Sequence, residues 1–219
     1  VHNFGEISAA KITVNPTAGL TTIDGGGKIS ATSDLLLTNT DINTQKTIIV
    51  GGNLFMTDST ITGLGAAPNN TVATVSGNIN LNGTVDLINV TMTAGSSKTV
   101  FFGNTGVSTI TIQGNVTIGA ATNTLHLQSA DIVVTGTNNN LVSKGLDVSS
   151  GPWTPGNTIQ VVDGLDGSLK INIGAQNLTV TDNTTNSTAT DLNFGLDRLV
   201  VNANNRFEIV TTGTVNSTV

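Results

Sequence analysis

The chain has no cysteine and no tyrosine, a single tryptophan, four prolines, and only 3% aromatic residues. Without cysteine there is no disulfide scaffold, no thiolate metal centre and no thiol nucleophile, although compartment is left open. Charge is equally scarce: 10% of residues are Asp, Glu, Lys or Arg, against about 25% in an ordinary soluble domain. The net charge is -6, and the eight Lys plus Arg are scattered without a run. That excludes a nucleic-acid interface, which needs clustered cations to neutralise phosphates. No apolar run approaches the ~18 residues needed to span a bilayer as a helix. No Gly-x-Ser-x-Gly elbow is present either.

What fills the space is hydroxyl, amide and glycine. With 38 Thr, 15 Ser, 27 Asn and 25 Gly, these four types make up 105 of the 219 residues. The hydrophobic share of 37% still suffices for a real core. It is dominated by Val, Ile and Leu, so local propensity leans to strand. Alternating runs follow, among them Lys11 to Val14, Ser108 to Ile112, Asn123 to Leu127, Ser168 to Ile173 and Asn177 to Thr181. In each, an aliphatic side chain on every second position faces a core and Thr, Asn or Lys faces out. No window sustains helical spacing, because Gly or Asn interrupts almost every candidate.

A loose internal repeat overlies the strands. Gly-Asn followed by apolar-x-apolar occurs at Gly52-Asn53-Leu54-Phe55-Met56, Gly77-Asn78-Ile79-Asn80-Leu81 and Gly114-Asn115-Val116-Thr117-Ile118. The copies start 25 and 37 residues apart, too irregular for one motif per coil. A turn that feeds a short strand is nevertheless what a coiled β-architecture repeats. The expected fold is all-β, a right-handed parallel β-helix, with a β-sandwich or jelly roll as the alternative. About 20 residues per coil would give about ten coils and a rod on the order of 50 Å long.

The run Thr109 to Gly119 continuing into Thr124 to Gly136 resembles passengers of the filamentous-haemagglutinin and autotransporter kind. The likeness covers roughly Gly25 to Gly136 and Ile159 to Val210. It implies a right-handed parallel β-helix, secreted across an outer membrane, that acts as an adhesin. The regular coil length of those families and their membrane-anchoring barrel are missing from this chain.

Three stretches break the strand pattern: Gly63 to Asn70, Ser149 to Asn157, and Asp182 to Thr188. The second separates a repetitive body, residues 1–150, from a β-rich tail, residues 151–219, that continues the same domain. It also carries Trp153 between Pro152 and Pro155, a candidate for stacking on a sugar or docking a partner, or else an anchor for its own loop. Asp163 and Asp166 flank Gly164-Leu165 and make a weak Ca²⁺ candidate, oxygen ligands in a flexible turn, though Asp-Gly is also ordinary turn chemistry. No cofactor is required. Of eight Asn-x-Ser/Thr acceptor sites, Asn69, Asn183 and Asn186 fall in expected loops and are the accessible glycosylation candidates.

Catalysis has little material. His126 alternates with Leu125 and Leu127 and should point outward, His2 lies near a mobile end, and no carboxylate pair is obvious. The expectation is a non-enzymatic extracellular structural or adhesive surface protein. Its partners would be cell-surface or carbohydrate ligands, with no nucleic acid and no membrane span. The start at Val1 is expected to follow removal of a signal peptide. The alternatives are a filament subunit that assembles with copies of itself by strand complementation or end stacking, and a polysaccharide-active β-helix enzyme. The terminal strands Glu6 to Val14 and Arg206 to Val215 motivate the filament. Thr-x-Thr pairs at Thr60/Thr62 and Thr91/Thr93 lack the fixed spacing of a flat Thr ladder.

Overall fold

The computed structural model describes residues 1–65, 71–106, 108–127, 130–135 and 139–143. It also describes the strand backbones at 145–147, 157–161, 168–172, 178–181, 196–201, 206–210 and 215–218. The described residues hold strands, bends and turns, and no helix.

Three short strands make one turn of the chain. The first turn is β1 (Glu6–Ala9), β2 (Ile12–Val14) and β3 (Thr21–Ile23), and the second is β4 (Lys28–Ala31), β5 (Leu35–Thr38) and β6 (Thr40–Thr44). In the third and fourth turns two of the strands merge into one that bends: β7 (Ile48–Val50) with β8 (Leu54–Gly63), then β9 (Thr71–Val75) with β10 (Ile79–Ile88). The fifth is β11 (Val90–Thr93), β12 (Thr99–Phe102) and β13 (Ser108–Gln113), and the sixth is β14 (Thr117–Gly119), β15 (Thr124–Leu127) and β16 (Ala130–Thr135). Beyond them come β17 (Asn139–Val142), β18 (Gly145–Asp147), β19 (Asn157–Val161), β20 (Ser168–Asn172), β21 (Leu178–Thr181), β22 (Leu196–Val201), β23 (Arg206–Val210) and β24 (Val215–Thr218).

Every described strand pair is parallel, and each strand lies on its counterpart one turn away. The first face is the nine-stranded ladder β1-β4-β7-β9-β11-β14-β17-β20-β23. The second carries β2, β5, the first half of β8 and of β10, β12, β15 and β18. The third carries β3, β6, the second halves of β8 and β10, then β13, β16, β19 and β22. The chain is a parallel β-helix, and six turns separate β1 from β17, about 29 Å at ~4.8 Å per rung. A β-sandwich, whose sheets are antiparallel, is ruled out. The ladders β16-β19 and β17-β20 carry the third and the first face across residue 150.

The core follows from alternation. On the first face Ile29, Ile48, Ala73, Met92, Ile118 and Leu141 stack inward in register. On the third Ile42, Ile61, Leu87, Ile112 and Val134 do the same, each at 0% exposure. Like sits on like, so each rung buries its aliphatic row between two others, at ~2 kcal/mol per buried Leu or Ile.

The expected length of about 20 residues per coil is exceeded on most turns. Successive turns on the first face are 22, 19, 25, 19, 26 and 23 residues long, then 30 and 38. The strands are held to a common rung spacing by the ladder hydrogen bonds, whereas the corners are free to lengthen. Leu64, 47% exposed, opens one such corner between β8 and β9. At the chain start the Val1 amino group donates to the Thr22 carbonyl, the Asn3 amide to that of Asp24, and His2 Nδ1 lies 2.5 Å from Asp24 Oδ1.

Candidate functional site

The corners explain the Gly-Asn repeat. Asn53 donates its backbone N–H to Asp34 Oδ1 at 2.7 Å, Asn78 to Asn53 Oδ1 at 2.9 Å, and Thr99 to Asn78 Oδ1 at 3.0 Å. One amide or carboxylate per turn thus staples the corner between the first and second faces. At the corner from the third face back to the first, Asn115 donates to Asn89 Oδ1 at 3.0 Å, and at the remaining corner Thr84 donates to Asp58 Oδ1 at 2.8 Å. The glycine just before the donor makes room for the acceptor: a Cβ on Gly77 would meet Asn53 Oδ1 at 2.5 Å, and Gly52, Gly83 and Gly114 are crowded in the same way by Asp34, Asp58 and Asn89. The third Gly-Asn copy therefore sits at a different corner from the first two, which is why the copies start at unequal intervals.

The outward rows give the lateral surface its chemistry. On the third face Thr22, Asp41, Thr60, Asp86 and Thr111 follow one another in register. Thr60/Thr62 belong to this face and Thr91/Thr93 to the first, so the Thr-x-Thr pairs never align into a ladder. On the first face Glu6 and Lys28 pair at 3.1 Å. Among the described residues no group of three His, Asp or Glu is placed to hold a metal ion, and no helix is long and apolar enough to cross a membrane.

The second face differs. Its central outward row runs Leu36, Phe55, Asn80, Phe101, His126, each one rung from the next. The Phe101 and His126 rings meet with centroids 5.4 Å apart and planes tilted by 47°. Asn80, although it points outward, is only 6% exposed, enclosed on the row between Phe55 and Phe101, and its Nδ2 reaches the Leu54 carbonyl at 3.4 Å. The other four are half-buried. A narrow apolar and aromatic stripe thus crosses five rungs. Rows of Asn53, Asn78 and Thr99 on one side and Thr38, Thr57 and Asn82 on the other flank it.

The outward orientation expected of His126 is observed, beside a fully buried Leu125. Its partner Phe101 and the rest of the stripe were missed from sequence, since the five residues are spaced by 19, 25, 21 and 25 positions. The one available signal was that Leu36, Phe55, Asn80 and Phe101 each fall between two inward apolar residues of their strand. The residues singled out as Ca²⁺, glycosylation and partner candidates, Asp163, Asp166, Asn69, Asn183, Asn186 and Trp153, all lie outside the described residues. Of the other acceptor sites, Asn82 and Asn89 use their Oδ1 for Thr105 and Asn115 amides. No family model, no curated protein and no solved structure matches the chain.

Proposed function

We propose that this protein is a non-enzymatic extracellular structural or adhesive surface protein, a β-helical body that works through its sides. The observation that carries the reading is the stripe from Leu36 to His126, a row in which apolar and aromatic side chains follow one another in register, whereas the exposed apolar side chains of the first face, Ile49 and Val72, stand singly among hydroxyls and amides. Side chains on a ladder of parallel strands are held at fixed spacing, so such a row is a preorganised contact line that loses little entropy on binding. The resemblance to secreted adhesin passengers points the same way. Beads coated with the protein should adhere to whole cells more than beads coated with an inert protein. Equal adhesion would sink this reading.

A second reading is a filament subunit built from copies of the chain. It is favoured by β1 and β23, lying in the two segments expected to complete a neighbour's sheet, which stand at opposite ends of the nine-stranded ladder and each have one partner there among the described residues. Size measured under native conditions decides: a particle that grows with concentration supports the filament, and a monomer throughout removes it.

A further inference from the structure

We infer that the stripe on the second face binds a linear, uncharged polysaccharide laid lengthwise along the β-helix axis. The inference rests on the adhesive reading above and names its ligand class.

Size excludes a globular partner. Five rungs at ~4.8 Å make a line about 19 Å long and one side chain wide, on the order of 130 Å², against the ~800 Å² per partner that a stable protein complex buries. A second copy of the chain seated on the stripe is excluded for the same reason, which leaves the strand-edge contacts of β1 and β23 untouched. What fits a line one residue wide is a rod-like ligand of similar width.

Chemistry selects the rod. A sugar chain presents C–H faces to either side of its rings and hydroxyls along its edges. Leu36, Phe55, Phe101 and His126 supply apolar and aromatic platforms for the faces, while Thr38 and Thr57 border them with hydroxyls for the edges; the Asn53 and Asn78 side-chain oxygens on the other border are spent on the Asn78 and Thr99 amides. A lipid or apolar peptide would leave those polar borders unmatched. Charge decides between neutral and acidic chains: from Leu36 to His126 the three rows hold one charged residue, Asp34, and its Oδ1 is committed to the Asn53 amide. No cation in these rows is placed to hold a uronate or sulfate. Leu36 and Phe55, and again Phe101 and His126, stand one rung apart, about the length of a sugar ring in an extended chain, with the enclosed Asn80 on the rung between the two pairs.

The test is electrophoresis of the folded protein through native gels containing hydroxyethylcellulose or galactomannan, with polygalacturonate as the acidic control. Retardation is expected in at least one neutral gel and not in the acidic one. Phe55→Ala and Phe101→Ala should each weaken it by about three- to tenfold, the loss of one aromatic contact. Val72→Ala, on the first face, should change nothing. Phe101→Leu keeps apolar bulk but not the ring, and an equal loss there separates stacking from damage to the fold. Retardation in neither neutral gel, retardation by polygalacturonate alone, or retardation indifferent to both Phe55→Ala and Phe101→Ala overturns the inference. Adhesion of coated beads without retardation removes the polysaccharide and leaves the adhesive reading standing. Retardation without adhesion does the reverse.

Discussion

Asn53 Oδ1 accepts the backbone N–H of Asn78 at 2.9 Å, one full turn further along the chain, while the Asn53 N–H is itself bonded to Asp34 Oδ1 at 2.7 Å. The side chain is a link between successive turns rather than a surface group. Asn53→Ala leaves the Asn78 amide, in a part-buried corner, without its acceptor. A loss of about 1–2 kcal/mol is expected, read from the midpoint of denaturant unfolding. Asn53→Asp keeps the acceptor and should cost less. A loss as large from Asp as from Ala would show that the Nδ2 group matters more than the inter-turn bond.

Gly77 is small because two groups occupy the place of its side chain: Asn53 Oδ1 at 2.5 Å and the Gly52 carbonyl oxygen at 2.6 Å from a Cβ built there. Gly77→Ala should therefore destabilise by about 1–3 kcal/mol through overpacking. Nothing lies within 4 Å of a Cβ at Gly5, so Gly5→Ala should stay within about 0.5 kcal/mol. Thermal unfolding of the two variants side by side checks the contrast. Because one of the two obstructions at Gly77 is backbone, adding Asn53→Ala should restore only part of the loss.

Leu87 lies at 0% exposure between Ile61 on one rung and Ile112 on the next. Leu87→Ala opens a cavity the ladder bonds prevent from collapsing, and a loss of about 2–5 kcal/mol is expected. In a stacked array each turn contacts only its neighbours. Hydrogen exchange should accordingly lose protection first in β8, β10 and β13, and remain close to native at Ile29 and Leu141.

The Glu6–Lys28 pair spans 3.1 Å with side chains 43% and 38% exposed. Water and salt screen it, so Lys28→Ala should cost about 0–1 kcal/mol and less in high salt. Unfolding midpoints at low and high ionic strength measure it. A larger, salt-insensitive loss would mean that the aliphatic stem of Lys28 packs on the first face, which matters more than its charge.

Much of this architecture is local and therefore legible. Period-two alternation in Ser108 to Ile112 or Asn123 to Leu127 specifies a strand with one buried side, and β13 and β15 occupy those positions. Gly-Asn pairs mark corners because the backbone there approaches a neighbour closely. Composition likewise determined a surface of hydroxyls and amides. What the chain could not declare alone was which residues lie one above another. Register between turns depends on corner lengths, which make the full turns vary from 19 to 26 residues across the first six. Corners lengthen at little free-energy cost, since loop closure scales only logarithmically with length. Only the tertiary stack brings Phe101 onto His126 and aligns both with Phe55 and Leu36. The inward faces were determined by each strand separately; the outward stripe was decided by the ladder that joins them.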